Sequence, residues 1–169
     1  NAIYEEVDAV MLSGETTIGK HPIRCVEMLV EIADKTEAIP GLGFSKNLIE
    51  SSEKQQVAKS AVQLAEAIGA VGIVAITRRG YMADFVTNCH PQKTRIYAFT
   101  NDSQTRRRLI LNRNVTAFRT AFSSDPEKTL RTAFDVLLAK GGLAVGDKVV
   151  VISDILAGAG IEAIQIRTL

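Results

Sequence analysis

Along most of this chain, short apolar runs alternate with segments whose apolar residues recur every three or four positions. Four runs read as strands: Gly72–Thr77, Arg95–Thr100, Val115–Phe118 and Lys148–Ser153. They are short, continuously apolar stretches rather than alternating ones, the pattern of strands covered on both faces. Between them the helical period predicts helices over Tyr81–Asn88, Ser103–Asn112 and Pro126–Lys140. Another helix, Glu53–Ile68, precedes the first strand, turns Val57, Ala58, Ala61, Val62, Leu64, Ala65 and Ile68 inward, and stops at Gly69. The alternation predicts an α/β fold with a doubly wound, mostly parallel five-stranded sheet. The fifth strand, Ala163–Leu169, follows Gly158-Ala-Gly160 too closely for a helical crossover, so it is expected antiparallel at an edge. Such an edge leaves backbone groups open to a partner.

The first 52 residues have a different pattern. Ala2–Val7 reads as a helix with no residue to cap it, which points to a piece of a longer chain. Asp8–Leu12 reads as a buried strand feeding the polar, glycine-hinged turn Ser13-Gly-Glu-Thr16. Pro22 then opens an amphipathic helix to about Ala38. Pro40-Gly-Leu-Gly43 breaks that helix. Residues 39–52 have the turn-prone mixture of a linker, which separates a first body at 1–38 from a second at 53–169. A lone strand such as Asp8–Leu12 expects neighbours on both edges, so it should pair with another chain or lose its order.

Composition narrows the function classes. Lys plus Arg number 20 and Asp plus Glu 19, for a net charge of +1, so no overall field draws the chain to nucleic acid or to an acidic membrane. No apolar run has the length of a membrane span. Cys25 and Cys89 lack metal-site or redox spacing and read as reduced, packed thiols, consistent with the cytoplasm. Arg106-Arg-Arg108 and Arg113 form a basic stripe without aromatic platforms for bases, and read as a solvated or interface face. His21 and His90 each precede a proline without partners at ligand spacing. No G-x-S-x-G turn occurs.

Two places carry candidate chemistry. Gly14-Glu-Thr-Thr-Ile-Gly-Lys-His21 matches the phosphate-binding G-x-x-x-x-G-K-[ST] loop except at its last position, where an imidazole replaces the hydroxyl that ligates Mg²⁺. With Val149–Asp154 as an acidic strand, this keeps a nucleotide-binding reading open. At Thr77-Arg78-Arg79-Gly80-Tyr81 a strand end, a glycine turn and a helix start meet. Free N–H groups, the positive helix end and two guanidiniums would favour an anion there. The plainer role is that both arginines are solvated surface charges.

The run Asp8-Ala-Val-Met-Leu-Ser-Gly-Glu-Thr16 continuing to Pro22 closely resembles the last strand, loop and helix of the pyruvate kinase barrel. Val57–Ala65, Ile76–Ala83 and Gly146–Ser153 extend the resemblance over essentially the whole chain. It implies a strand-helix remnant of a TIM barrel followed by a C-terminal regulatory and oligomerisation domain. It implies a homotetrameric parent enzyme that moves a phosphoryl group from phosphoenolpyruvate to ADP with Mg²⁺ and a monovalent cation, K⁺. Ser13, Gly14, Glu15 and Thr16 would line the active-site end of the barrel, or simply hold the loop and the helix start. The catalytic lysine and metal ligands precede the region resembled, so no catalytic residue, metal ligand or cofactor is expected in this chain. Thr77–Tyr81 would be the effector loop. Members activated by a sugar bisphosphate carry hydroxyls where this chain has Arg79 and Met82, and Glu162 would repel a nearby phosphate. A monophosphate or sulfate is the ligand left. The alternative is a stand-alone α/β domain that senses a small anionic metabolite.

Overall fold

The computed structural model describes residues 1–49, 51–153 and 163–169. The chain divides into two compact units, Asn1–Leu48 and Ile49–Leu169.

The second unit is a five-stranded sheet in the order β3-β2-β1-β4-β5. Its strands are β1 (Gly72–Ile76), β2 (Arg95–Thr100), β3 (Val115–Arg119), β4 (Lys148–Ser153) and β5 (Ala163–Thr168). The first four run parallel and β5 pairs antiparallel with β4, Lys148 opposite Thr168 and Ser153 opposite Ala163. The edge strand is therefore as the sequence predicts, although Gly158–Gly160 and Glu162 lie outside the described residues. Taking α1 and α2 for the helices of the first unit, those here are α3 (Glu53–Ala67), α4 (Tyr81–Asn88), α5 (Ser103–Leu109) and α6 (Pro126–Lys140).

Alternation along the strands builds two cores. Ile73, Ala75, Ile96, Ala98, Val150 and Ile152 face one way, onto Ala58, Ala61 and Ala65 of α3, Met82 and Val86 of α4, and Leu109 of α5. Val74, Ile76, Tyr97, Phe99, Val149 and Val151 face the other way, onto Leu130, Ala133 and Leu137 of α6. Both faces of the central strands are dry, as a parallel sheet requires. The small residues of α3 let it lie close to the sheet.

Helix α3 is closed at both ends by its own sequence. Ser52 and Gln55 form a reciprocal capping box. At the other end Gly69, at φ 65°, donates to Glu66 O, and Ala70 donates to Ala65 O at 2.8 Å, a Schellman closure.

The first unit departs from expectation. Ala2–Val7 forms turns rather than a helix, and Asp8–Leu12 joins no ladder among the described residues. A strand gains its hydrogen bonds only from neighbours, whereas a helix supplies its own. Hence α1 (Gly14–Thr17) and α2 (Pro22–Glu37) form and the strand does not. The apolar residues of α2 remain largely uncovered within this unit, Ile23 at 72% and Val30 at 53% exposure. Part of the predicted linker belongs here too: Phe44–Asn47 is a 3-10 turn, and the Glu6 carboxylate accepts from Gly43 N at 2.8 Å and Ser45 N at 3.1 Å.

Tyr97 supplies a pH-dependent test of the α6 side. Its hydroxyl donates to Gly141 O at 3.2 Å, and burial raises its pKa above the ordinary phenol value, with Arg95 opposing. A phenol whose folded pKa is raised gives stability that is intact below pH ~10 and is lost as pH climbs through the folded value. Tyr97→Phe should cost about 0.5–1.5 kcal/mol at neutral pH and flatten this alkaline loss, measured by urea unfolding at pH 7 and above pH 10.

Candidate anion site at the carboxyl end of the sheet

In the order 3-2-1-4-5 the chain leaves β1 for β2 across one face, through α4, and arrives at β4 across the other, through α6. The carboxyl ends of β1 and β4 thus flank the point where the winding reverses, the usual ligand crevice of an open α/β sheet. Thr77–Tyr81 leaves β1 there. Asp154, which follows β4, lies outside the described residues.

The loop is held by short bonds to its own first residue and to its neighbours. Thr77, 3% exposed, donates its N–H to Phe99 O at 2.9 Å, and its hydroxyl accepts from Gly80 N at 3.0 Å. Thr100, at the end of β2, donates its hydroxyl to Arg78 O at 3.1 Å. Arg108 of α5 donates to Arg79 O at 2.9 Å. With these carbonyls drawn inward, no group among the described residues accepts from the N–H of Arg79, Tyr81 or Met82. Gly80 sits at φ 87°, and a Cβ there would collide with the Arg108 guanidinium and press on Thr105 and Leu109. Only glycine fits both the angle and the space.

Strand alternation, carried past Ile76, sends Arg78 to the α6 face, where its guanidinium lies 5.9 Å from the Phe122 ring centre. Arg79 is exposed, and its guanidinium has no ion-pair or hydrogen-bond partner among the described residues. Tyr81, 57% exposed, opens α4. Met82 is 2% exposed and belongs to the α3–α5 core, so at its position a ligand would meet backbone rather than side chain.

Sequence reading missed the supports of this loop. Arg108, read with Arg106 and Arg107 as part of a solvated or interface face, donates through Nη1 to both carboxylate oxygens of Asp84 of α4, at 3.0 and 3.1 Å. Asn112 donates to the same carboxylate at 2.8 Å. Thr100 and Phe122 were hidden for the same reason: only the strand register brings them beside Arg78. Asp102 caps α5 by accepting from Thr105 N at 2.6 Å, and that bond holds its carboxyl below the ordinary aspartate pKa.

The second candidate loop is occupied with itself. Thr16 and Thr17 donate their hydroxyls to Ser13 O at 3.0 and 2.9 Å, and the Glu15 carboxylate accepts from Ser13 N at 3.0 Å. Gly14 opens α1. The nucleotide reading needs a strand, then a phosphate cradle, then a helix beginning at the lysine. Here no strand precedes the loop, α1 interrupts it, and α2 begins only after Lys20 and His21. Among the described residues no three or more His, Cys, Asp or Glu side chains stand together as a metal ion would need. No helix among them is long and apolar enough to cross a membrane.

Residues 55–164 match the family model described as "Pyruvate kinase, alpha/beta domain". The chain is similar to pyruvate kinase isozyme G, chloroplastic, of Ricinus communis, 34% identical over 154 residues that cover 89% of this chain and 36% of that protein. Isozyme A, chloroplastic, of the same plant is 30% identical over 92% of this chain and 28% of its own length. The pyruvate kinase of Lactococcus lactis is 29% identical over 99% of this chain and 34% of its own. The chain spans between a quarter and just over a third of the length of these relatives.

The glycine at the centre of the loop gives a direct test. Gly80→Ala should destabilise the domain by about 1–2 kcal/mol through the left-handed angle alone, and more through displacement of Arg108. Thermal unfolding checks the size. Alanine at Gly69, also at positive φ but with open space around its Cβ, is the control for angle without collision.

Proposed function

Since the chain belongs to the pyruvate kinase family and corresponds to its C-terminal α/β domain, we propose that it is the regulatory and structural part of that enzyme. In the parent, the reaction is phosphoryl transfer from phosphoenolpyruvate to ADP, giving pyruvate and ATP. This chain by itself carries none of that chemistry. For the Mg²⁺ that the family implies in the parent, no three or more His, Cys, Asp or Glu side chains stand together among the described residues. Ser13, Gly14, Glu15 and Thr16 act as loop-holding residues next to the barrel's active-site end.

One observation carries the regulatory reading. The carbonyls of Arg78 and Arg79 are tied inward while the N–H groups of Arg79, Tyr81 and Met82 have no acceptor among the described residues, beside an exposed guanidinium at the switch point of the sheet. Such a loop suits one phosphate or sulfate group, whether free or on a sugar phosphate. The placement of the Arg78 guanidinium over the Phe122 ring favours a single anionic group over two. The edge strand β5 supports self-association, in keeping with a homotetrameric parent. Cys25 and Cys89, neither of them in a disulfide, support a reducing compartment: the cytoplasm or, as in the plant relatives' names, a chloroplast.

Inorganic phosphate added to the isotopically labelled chain should shift the amide resonances of Arg79, Gly80, Tyr81 and Met82, and Arg79→Ala should weaken that response several-fold. Shifts scattered over the surface, or none, would discard the anion site. A coupled pyruvate kinase assay on this chain alone should give no turnover, and measurable turnover would discard the non-catalytic reading.

A further inference from the structure

Helix α4 starts at the anion loop and carries a carboxylate, Asp84, in its first turn. Left alone, that charge would occupy the positive end of the helix and repel an incoming anion. It is not left alone: Arg108 takes both oxygens and Asn112 takes one again. The second arm of the same guanidinium donates to Arg79 O, and its Nη2 fills the space a Cβ on Gly80 would need. One side chain from α5 thus neutralises α4 and fixes the backbone of the loop between β1 and α4. Arg108 is 47% exposed and Asp84 24%, so Coulomb attraction alone is a weak account of the pair. The fork geometry, which only a planar guanidinium offers, is the stronger one.

We propose that Arg108 is a positioning residue: it sets the Arg78–Tyr81 loop in its anion-receiving form and makes that form depend on the placement of α5. This rests on the anion reading above for its ligand, but not for its geometry. Leu109, fully buried next to Arg108, anchors α5 in the sheet core, so Arg108 reports the position of α5 to the loop. Anything that shifts α5 or the neighbouring edge β3 would therefore loosen the site without touching it. Asp102 holds the first turn of α5, and its loss would act in the same direction.

The test uses the full chain and two variants, Arg108→Lys and Arg108→Met. Lysine keeps the charge beside Asp84 but cannot span both Asp84 and Arg79 O; methionine removes the charge too. Without any ligand, amide exchange at Gly80 should quicken about tenfold or more in both, the loss expected for a hydrogen bond to a charged group. Amides of Val74 and Ala98 in the sheet should hold their native rates. Inorganic phosphate binding should weaken in both, more in Arg108→Met, and Asp84→Asn added to Arg108→Met should recover part of it. Native exchange at Gly80 in Arg108→Lys overturns the proposal, and so does equal acceleration at Val74 and Ala98, which would mark Arg108 as a general stabiliser. If the native chain binds no phosphate, the anion reading falls while the exchange result still decides the positioning role.

Discussion

A parallel strand buried on both sides has no choice about where its polar business goes. Its faces are committed to helices, its ladder to its neighbours, and only its ends meet water. In this domain Ile73 through Ile76 are wholly enclosed, and the first residue able to do anything else is Thr77. The chemistry of the fold is thereby compressed into a few residues past the carboxyl ends of β1, β2 and β3. The order of the strands then selects β1 and β4 as the pair with a crevice between them.

The same alternation that fills the two cores also divides the basic residues. Ile76 faces α6, Thr77 faces α4, and Arg78 falls on the α6 face over Phe122, as a continued two-residue period demands. The loop then derives its shape from outside itself: Thr100 from β2 and Arg108 from α5 hold its carbonyls, and the missing side chain of Gly80 lets α5 come close.

Much of this was legible in the sequence. The bounds of β2, β4, α4 and α6 follow from periodicity, proline and glycine, because those elements are decided by local backbone rules and by which face is dry. The antiparallel β5 was legible from the shortness of its connection. Asp8–Leu12, whose pattern records an environment it needs rather than one it makes, joins no ladder among the described residues. Arg108 was misread because spacing alone shows a basic stripe, and nothing local marks its partners, 24 and 29 residues away in Asp84 and Arg79. Local rules fix elements, whereas sites are made of long-range coincidences.

The closures of α3 have a consequence for how such a domain travels between proteins. Ser52 and Gln55 complete its beginning, and Gly69 and Ala70 its end, using residues within or beside the helix. The domain's opening element therefore asks nothing of whatever is attached upstream. A module with a self-finished seam can be joined to different neighbours, or exchanged among them, without leaving raw backbone at the junction.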